Sequence, residues 1–324
     1  MTAPGDDPDS LRKLALDSEP RVLTALAKRM LVGDGVRQNP QDAVGLLRRA
    51  AASGDAEAAA QLAICAAWGI AQPRDFGQAF THLERAAVLD WLPAQLELQL
   101  LARQPGNDWP ALRLKIDAAV LTTSPAVRVV SERPRIVVIE HFMSAAECDW
   151  LIQRGRPGLG PALVYRGSSQ ARAVDTRTNT EVAFGIFNAD VVLSLIRERM
   201  SPAAGALTSC FEITKLLHYE PGQQFALHAD FIQPNTPELV KEVQVRGQRA
   251  ATFLVYLNEG YEGGETDFPR IGFRFKGRRG DAMVFSNIDA AGAPDYASVH
   301  AGLPPLQGEK WLLSQWIRTR PVSA

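Results

Sequence analysis

The chain has 324 residues, 46% hydrophobic and 22% charged, enough to bury one large core or two ordinary ones. Thirty-five basic against 36 acidic residues leave a net charge of -1, which gives no electrostatic footprint for nucleic acid or an anionic membrane. No signal peptide and no run of roughly 18 apolar residues is seen, and Cys65, Cys148 and Cys210 are widely spaced and odd in number, so a cytoplasmic protein with free, buried thiols is expected.

Residues 1–18 are rich in Pro, Gly and Asp and are expected to form a disordered tail. Residues 19–124 read as an all-α domain, with Ala and Leu recurring at three- and four-residue steps. The segments that start at Asp34 and Gly69 repeat weakly. Ala43 aligns with Ala79, and Ala50-Ala51 with Ala86-Ala87, each offset by 36 residues. A period of that size signals stacked helix-turn-helix units, whose small residues let paired helices approach closely. The pattern resembles Sel1-like repeats, relatives of the tetratricopeptide family. The second copy replaces two glycines of the first, Gly35 by Ala71 and Gly54 by Asp90. Asp108 and Pro110 predict one more helix, to about Leu121, and Thr122-Thr123-Ser124-Pro125 breaks it.

Residues 125–324 have a different period. Arg135–Glu140 reads as a buried strand, and Ser144 with Glu147 forms a capping box that opens a helix ending near Gly155. A second helix is predicted over Asp190–Met200. Short strands are predicted around Glu212–Tyr219, Ala251–Asn258, Gly272–Lys276, Ala282–Phe285, Ala297–Ala301 and Lys310–Arg318. Such spacing suggests an all-β sandwich or barrel, with helices on its N-terminal side. The polar stretch Gln233–Gln248 reads as a long loop, either a plain connection or a lid, and Lys276–Arg279 as a solvated turn.

Two of the five histidines sit where a metal would need them. His228 and Asp230 are two residues apart, so on extended backbone they point the same way. His300 follows on a later strand. Two imidazoles and one carboxylate suit Fe(II) with open coordination positions. Lys310 leads the alternating strand KWLLSQWIR and shares a face with Leu312, Ser314 and Trp316. A lysine entering an apolar face is expensive unless it meets an anion, which a dicarboxylic acid would supply.

The segments YEPGQQFALHADF, QRAATFLVYLNEGYEGGETDFP, KGRRGDAMVFSN, ASVHAG and GEKWLLSQWIR, in that order, resemble the prolyl 4-hydroxylase branch of the 2-oxoglutarate oxygenases. The resemblance runs from about Pro134 to Arg318. It implies an α+β architecture, a double-stranded β-helix (jelly-roll) catalytic domain preceded by the all-α repeats. It implies Fe(2+) held by His228, Asp230 and His300, 2-oxoglutarate with its distal carboxylate on Lys310, and O2, with ascorbate as a reductant. Tyr219 is implied as a second contact to the cosubstrate, and Thr252, Asn287 and Trp316 as pocket-lining groups. Two departures fall on the substrate side: Phe225 stands where many relatives have Tyr, and RTNTEVAF keeps Arg177 but changes the residues after it.

The implied reaction is hydroxylation of a prolyl residue in a peptide or protein, with release of succinate and CO2. The helical repeats would offer a surface for an extended peptide. The alternatives are a free amino acid or other small metabolite as substrate, or a repeat-based adaptor whose oxygenase domain is inactive.

Overall fold

The computed structural model describes residues 19–162 and 176–322. The tail expected over residues 1–18 lies outside the described residues. Contacts divide the chain into two units, one reaching to Thr122 and taking in Ala189–Ile196, the other holding Thr123–Asn188 and everything from Arg197.

The first unit is helical: α1 (Pro20–Val32), α2 (Pro40–Ala52), α3 (Ala56–Trp68), α4 (Phe76–Val88), α5 (Leu92–Leu101), α6 (Trp109–Leu114) and α7 (Ala118–Thr122). Both ends of α1 and α2 recur 36 residues later in α3 and α4. Asn39, Asp55 and Asp75 cap α2, α3 and α4, each accepting a hydrogen bond from the backbone N–H three residues on. The aligned alanines Ala43, Ala50, Ala79, Ala86 and Ala87 are fully buried, as close helix pairing requires. The glycines lost from the second copy leave a trace: Ala71 (φ 57°) and Asp90 (φ 61°) keep the left-handed backbone of Gly35 (φ 63°) and Gly54 (φ 92°). The single helix expected after Asp108 is two. Asp108 caps α6 through Ala111 N at 3.1 Å, but Asp117 Oδ1 accepts from Ala119 N at 2.8 Å and starts α7 afresh.

The second unit carries strands β1 (Arg128–Glu132), β2 (Arg135–Ile139), β3 (Gly160–Pro161), β4 (Thr180–Ala183), β5 (Lys215–Tyr219), β6 (Phe225–His228), β7 (Arg249–Tyr256), β8 (Glu262–Gly263), β9 (Thr266–Phe268), β10 (Phe273–Phe275), β11 (Ala282–Ser286), β12 (His300–Gly302), β13 (Pro305–Gln307) and β14 (Lys310–Arg318). Helix α8 (Ala145–Gly155) starts at the expected Ser144/Glu147 capping box. Helix α9 (Val191–Ala204) crosses the division between the units at Arg197. An eight-stranded antiparallel sheet runs β1-β2-β11-β7-β14-β5-β4-β3, and a four-stranded one runs β10-β9-β12-β6. Both sheets contribute walls to one cavity, the jelly-roll arrangement. Ile136, Leu254, Phe268, Met283 and Phe285 form a buried cluster. Each such side chain contributes on the order of 1.5–3 kcal/mol.

Three further expectations need correction. Residues 233–248 are not a structureless loop: they hold α10 (Pro237–Arg246), capped by Thr236 with Pro237 at its first position. The turn at Lys276–Arg279 is not simply solvated, because Lys276 Nζ donates to Tyr261 O at 2.6 Å and Gly277 is buried. A Cβ on Gly277 would fall 2.5 Å from Tyr256 Cδ2. The three thiols are free, but only Cys65 and Cys148 are buried, and Cys210 is half-buried.

Candidate active site

The cavity floor is one face of three adjacent strands in the large sheet. Period-two alternation puts Lys215, Leu217 and Tyr219 of β5 beside Lys310, Leu312, Ser314 and Trp316 of β14. Thr252 and Leu254 of β7 continue the face, with Thr252 paired to Trp316 in the register. The small sheet supplies the opposite wall, where His300 of β12 is the cross-strand partner of His228 of β6.

His228, Asp230 and His300 converge. Their ligand atoms lie within 4.8 Å of one another. His228 Nε2 is 3.5 Å from Asp230 Oδ1, and His300 Nε2 is 3.8 Å from Asp230 Oδ2. The tautomers follow from the other ring nitrogens. His228 Nδ1 donates to Ala226 O at 2.8 Å, and His300 Nδ1 donates to Ser298 O at 3.0 Å. A carbonyl can only accept, so each Nδ1 carries the proton and each Nε2 presents a lone pair toward Asp230. Burial pushes His300 down to about 4, so the ring is neutral at pH 7. Burial disfavours the Asp230 carboxylate, and the Thr252 hydroxyl, donating to Oδ2 at 2.6 Å, favours it.

Neighbouring rings fix the histidines. His300 lies against Phe285 and Phe268, with centroids 4.6 and 5.3 Å away. Phe225 stacks on His228 at 3.4 Å and 11°, and the Arg177 guanidinium covers the far side of Phe225 at 4.5 Å. The departure at Phe225 is thus backed by the retained Arg177 and lies on the imidazole of His228. Just past Asp230, the Gln248 side chain grips the Ile232 backbone, accepting from its N at 2.6 Å and donating to its O at 2.8 Å.

Lys310 is fully buried. Among the described residues its Nζ has no hydrogen-bond partner, and burial drives it down to about 7, although the Glu265 charge opposes the shift. It lies over the rings of Tyr219 and Tyr256 at 5.0 and 5.9 Å. Tyr219 is buried, lines the same cavity and is pushed up to about 12 by burial, so its hydroxyl stays a donor at neutral pH. Trp316 lines the cavity between Arg249 (3.6 Å) and Lys215 (5.6 Å). Thr252 reaches the cavity, whereas Asn287 stands behind it: Asn287 Nδ2 donates to Thr252 Oγ1 at 2.9 Å, and Thr252 Oγ1 donates to Asp230 Oδ2 at 2.6 Å. His218 faces away, between Thr180 and Glu309. Lys215 and Gln248 escaped the sequence reading, though counting back by twos from Tyr219 reaches Lys215.

The family model for the 2OG-Fe(II) oxygenase superfamily matches residues 214–318, and the Sel1 repeat matches residues 20–55 and 56–89. Prolyl 4-hydroxylase 1 of Arabidopsis thaliana is 31% identical over 214 residues, which cover 60% of this chain and 72% of the relative. The chain belongs to the prolyl 4-hydroxylase family of 2OG-Fe(II) oxygenases. A second relative, probable prolyl 4-hydroxylase 9 of the same plant, is 31% identical over 59% of this chain and 71% of its own. Among solved structures, the viral collagen prolyl hydroxylase of Paramecium Bursaria Chlorella virus-1 with 2OG covers 56% of this chain and 95% of its own, at 29% identity and a TM-score of 0.44.

As a 2OG-Fe(II) oxygenase the protein is a 2-oxoglutarate-dependent dioxygenase, and the family implies Fe(II), 2-oxoglutarate and O2. The residues fit that requirement. Two bare Nε2 atoms and an ionised carboxylate form the donor set of a non-haem iron. The buried Lys310 amine lines the same cavity, with no hydrogen-bond partner among the described residues.

Proposed function

We propose that this dioxygenase hydroxylates a prolyl residue of a peptide or protein, converting 2-oxoglutarate and O2 to succinate and CO2. The observation that carries the reading is the joint presence, in one cavity, of the His228–Asp230–His300 cluster and Lys310, whose Nζ has no hydrogen-bond partner among the described residues. In this reading His228, Asp230 and His300 hold Fe(II). Lys310 pairs with the distal carboxylate of 2-oxoglutarate, and Tyr219 donates a hydrogen bond to it. Bound iron with the keto acid supplies the oxidising chemistry. The chain positions the reactants: Leu217, Leu254, Leu312 and Trp316 keep water from the cavity floor, and the Phe225–Arg177 stack holds His228 in place. Prolyl specificity is supported by the named relatives, whose printed names carry it.

The finer assignments belong to the same proposal. Residues 19–124 act as the repeat domain and 125–324 as the oxygenase domain. The repeats hold the peptide or protein substrate, and ascorbate serves as a reductant. The cytoplasm is the proposed location, supported by the free thiols; no described helix is long and apolar enough to cross a membrane. A comparison of cellular proteins from cells with the native chain and with His228→Ala tests the substrate. Prolyl residues that gain one oxygen only with the native chain are expected, and their absence would refute the prolyl assignment. One second reading, a free amino acid or other small metabolite as substrate, is favoured by the changed residues after Arg177; the cavity-wall cations Arg177 and Lys215 are both paired with Glu181 at 2.6 Å. Succinate release across a metabolite panel, with peptides silent, would establish it.

A further inference from the structure

Asn287 is fully buried, yet its Oδ1 has no hydrogen-bond partner among the described residues. A buried, unsatisfied amide oxygen loses its hydration without a replacement bond, so packing alone gives no reason for an asparagine here. Its other end explains the choice. Thr252 spends its single hydroxyl proton on Asp230 Oδ2 at 2.6 Å. The oxygen of Thr252 is then left to accept, and the Asn287 side-chain atom 2.9 Å away must be the amide nitrogen. Asn287 has no further freedom: its backbone N donates to Ala250 O at 2.8 Å and its carbonyl accepts from Asp295 N at 2.9 Å. The donor sequence Asn287 to Thr252 to Asp230 therefore runs in one direction only.

We propose that Asn287 and Thr252 are positioning residues that lock the Asp230 carboxylate, occupying Oδ2 so that Oδ1 alone is offered to the metal. A carboxylate held in this way ligates through one oxygen and leaves an extra coordination position open, which a keto acid and O2 together need. The inference rests on the iron reading of the triad and deepens it. It also gives Asn287, which the resemblance implies as a pocket-lining group, a place behind the cavity wall that Thr252 forms.

Mn(II) titrated into the full chain without 2-oxoglutarate tests it, together with the number of water molecules on the bound ion from solvent-proton relaxation. Thr252→Val removes the donor at nearly constant volume. It is expected to weaken Mn(II) binding about 10- to 100-fold, the usual effect of losing such a partner. It also frees Oδ2 to join the ion, which displaces one water. Thr252→Ser restores both readings. Asn287→Leu, a second variant that leaves every ligand and Thr252 in place, is expected to shift both in the same direction by less. Thr252→Val and Asn287→Leu proteins that bind Mn(II) within about threefold of the native chain, with an unchanged water count, would overturn the proposal. Failure of the native chain to bind Mn(II) would instead overturn the iron reading beneath it.

Discussion

Replacing Lys310 with methionine should make the protein without cosubstrate more stable and nearly unable to hold 2-oxoglutarate. The ammonium is fully buried with no hydrogen-bond partner among the described residues, and burial moves it from 10.5 to about 7. At about 1.4 kcal/mol for each tenfold, that gap corresponds to roughly 5 kcal/mol of strain on the charged form. Methionine keeps the volume and removes the charge, and such replacements gain about 1–4 kcal/mol. The pH dependence follows in sign. Between pH 7 and 10.5 the unfolded chain binds a proton that the folded chain lacks, so native stability rises with pH across that window. Below it both forms are protonated and the full penalty stands. Denaturant unfolding of both proteins at about pH 6 and about pH 9 reads this, with the larger gain for Lys310→Met at the lower pH. Calorimetric titration with 2-oxoglutarate reads the other half. Losing the buried partner of a carboxylate costs about 3–5 kcal/mol, on the order of a 10²- to 10⁴-fold loss of affinity. The reasoning is refuted if Lys310→Met lowers stability at the acidic pH, or binds 2-oxoglutarate within about threefold of the native chain.

The same ammonium must be charged to hold the acid, so the native chain's 2-oxoglutarate affinity should fall as pH rises from about 7 to 9; a flat profile by calorimetry would count against Lys310. Ala71→Gly should stabilise the chain by about 0.5 kcal/mol, because the left-handed backbone strains alanine by about 1–2 kcal/mol and glycine's unfolded-state entropy takes back about 0.4–1 kcal/mol. Denaturant unfolding of the full chain checks it. Arg199→Met should cost about 3–5 kcal/mol, since it leaves Glu147 buried without the guanidinium that it meets at 2.7 Å; a shift under about 1 kcal/mol would contradict this. Gly280→Ala should cost at least about 2 kcal/mol, because its Cβ would fall 2.1 Å from Met143 O at φ 86°, and a fall in soluble yield or melting temperature would register it.

The clustering of His228, Asp230 and His300 and the burial of Lys310 beside them were legible because the pattern is local and rare: a His-x-Asp pair on extended backbone, a later His, and a lysine leading an apolar face. The repeats were legible because buried alanines recur at a fixed interval. Position in the second layer was not legible. Asn287 and Thr252 are 35 residues apart, and only the pairing of β11 with β7 brings them together behind Asp230. Short strands such as β4 and β9 carry too few residues to show a period, and their pairing partners define them. The helix α10 hid in a polar stretch because none of its residues is fully buried and its apolar stripe, Leu239 and Val243, is one turn long and half-buried. The Thr236-Pro237-Glu238 start signal was its one readable mark.

The central claim is that His228, Asp230 and His300 form the metal centre of a working 2-oxoglutarate oxygenase. The most direct measurement is succinate formed from 2-oxoglutarate by the purified full chain with Fe(II) and a panel of proline-containing peptides, beside Asp230→Ala. The account predicts Fe(II)-dependent succinate from the native chain, matched by one oxygen gained per peptide turned over, and none from Asp230→Ala. Equal succinate from both proteins, or none from the native chain at saturating Fe(II) and 2-oxoglutarate, would contradict it.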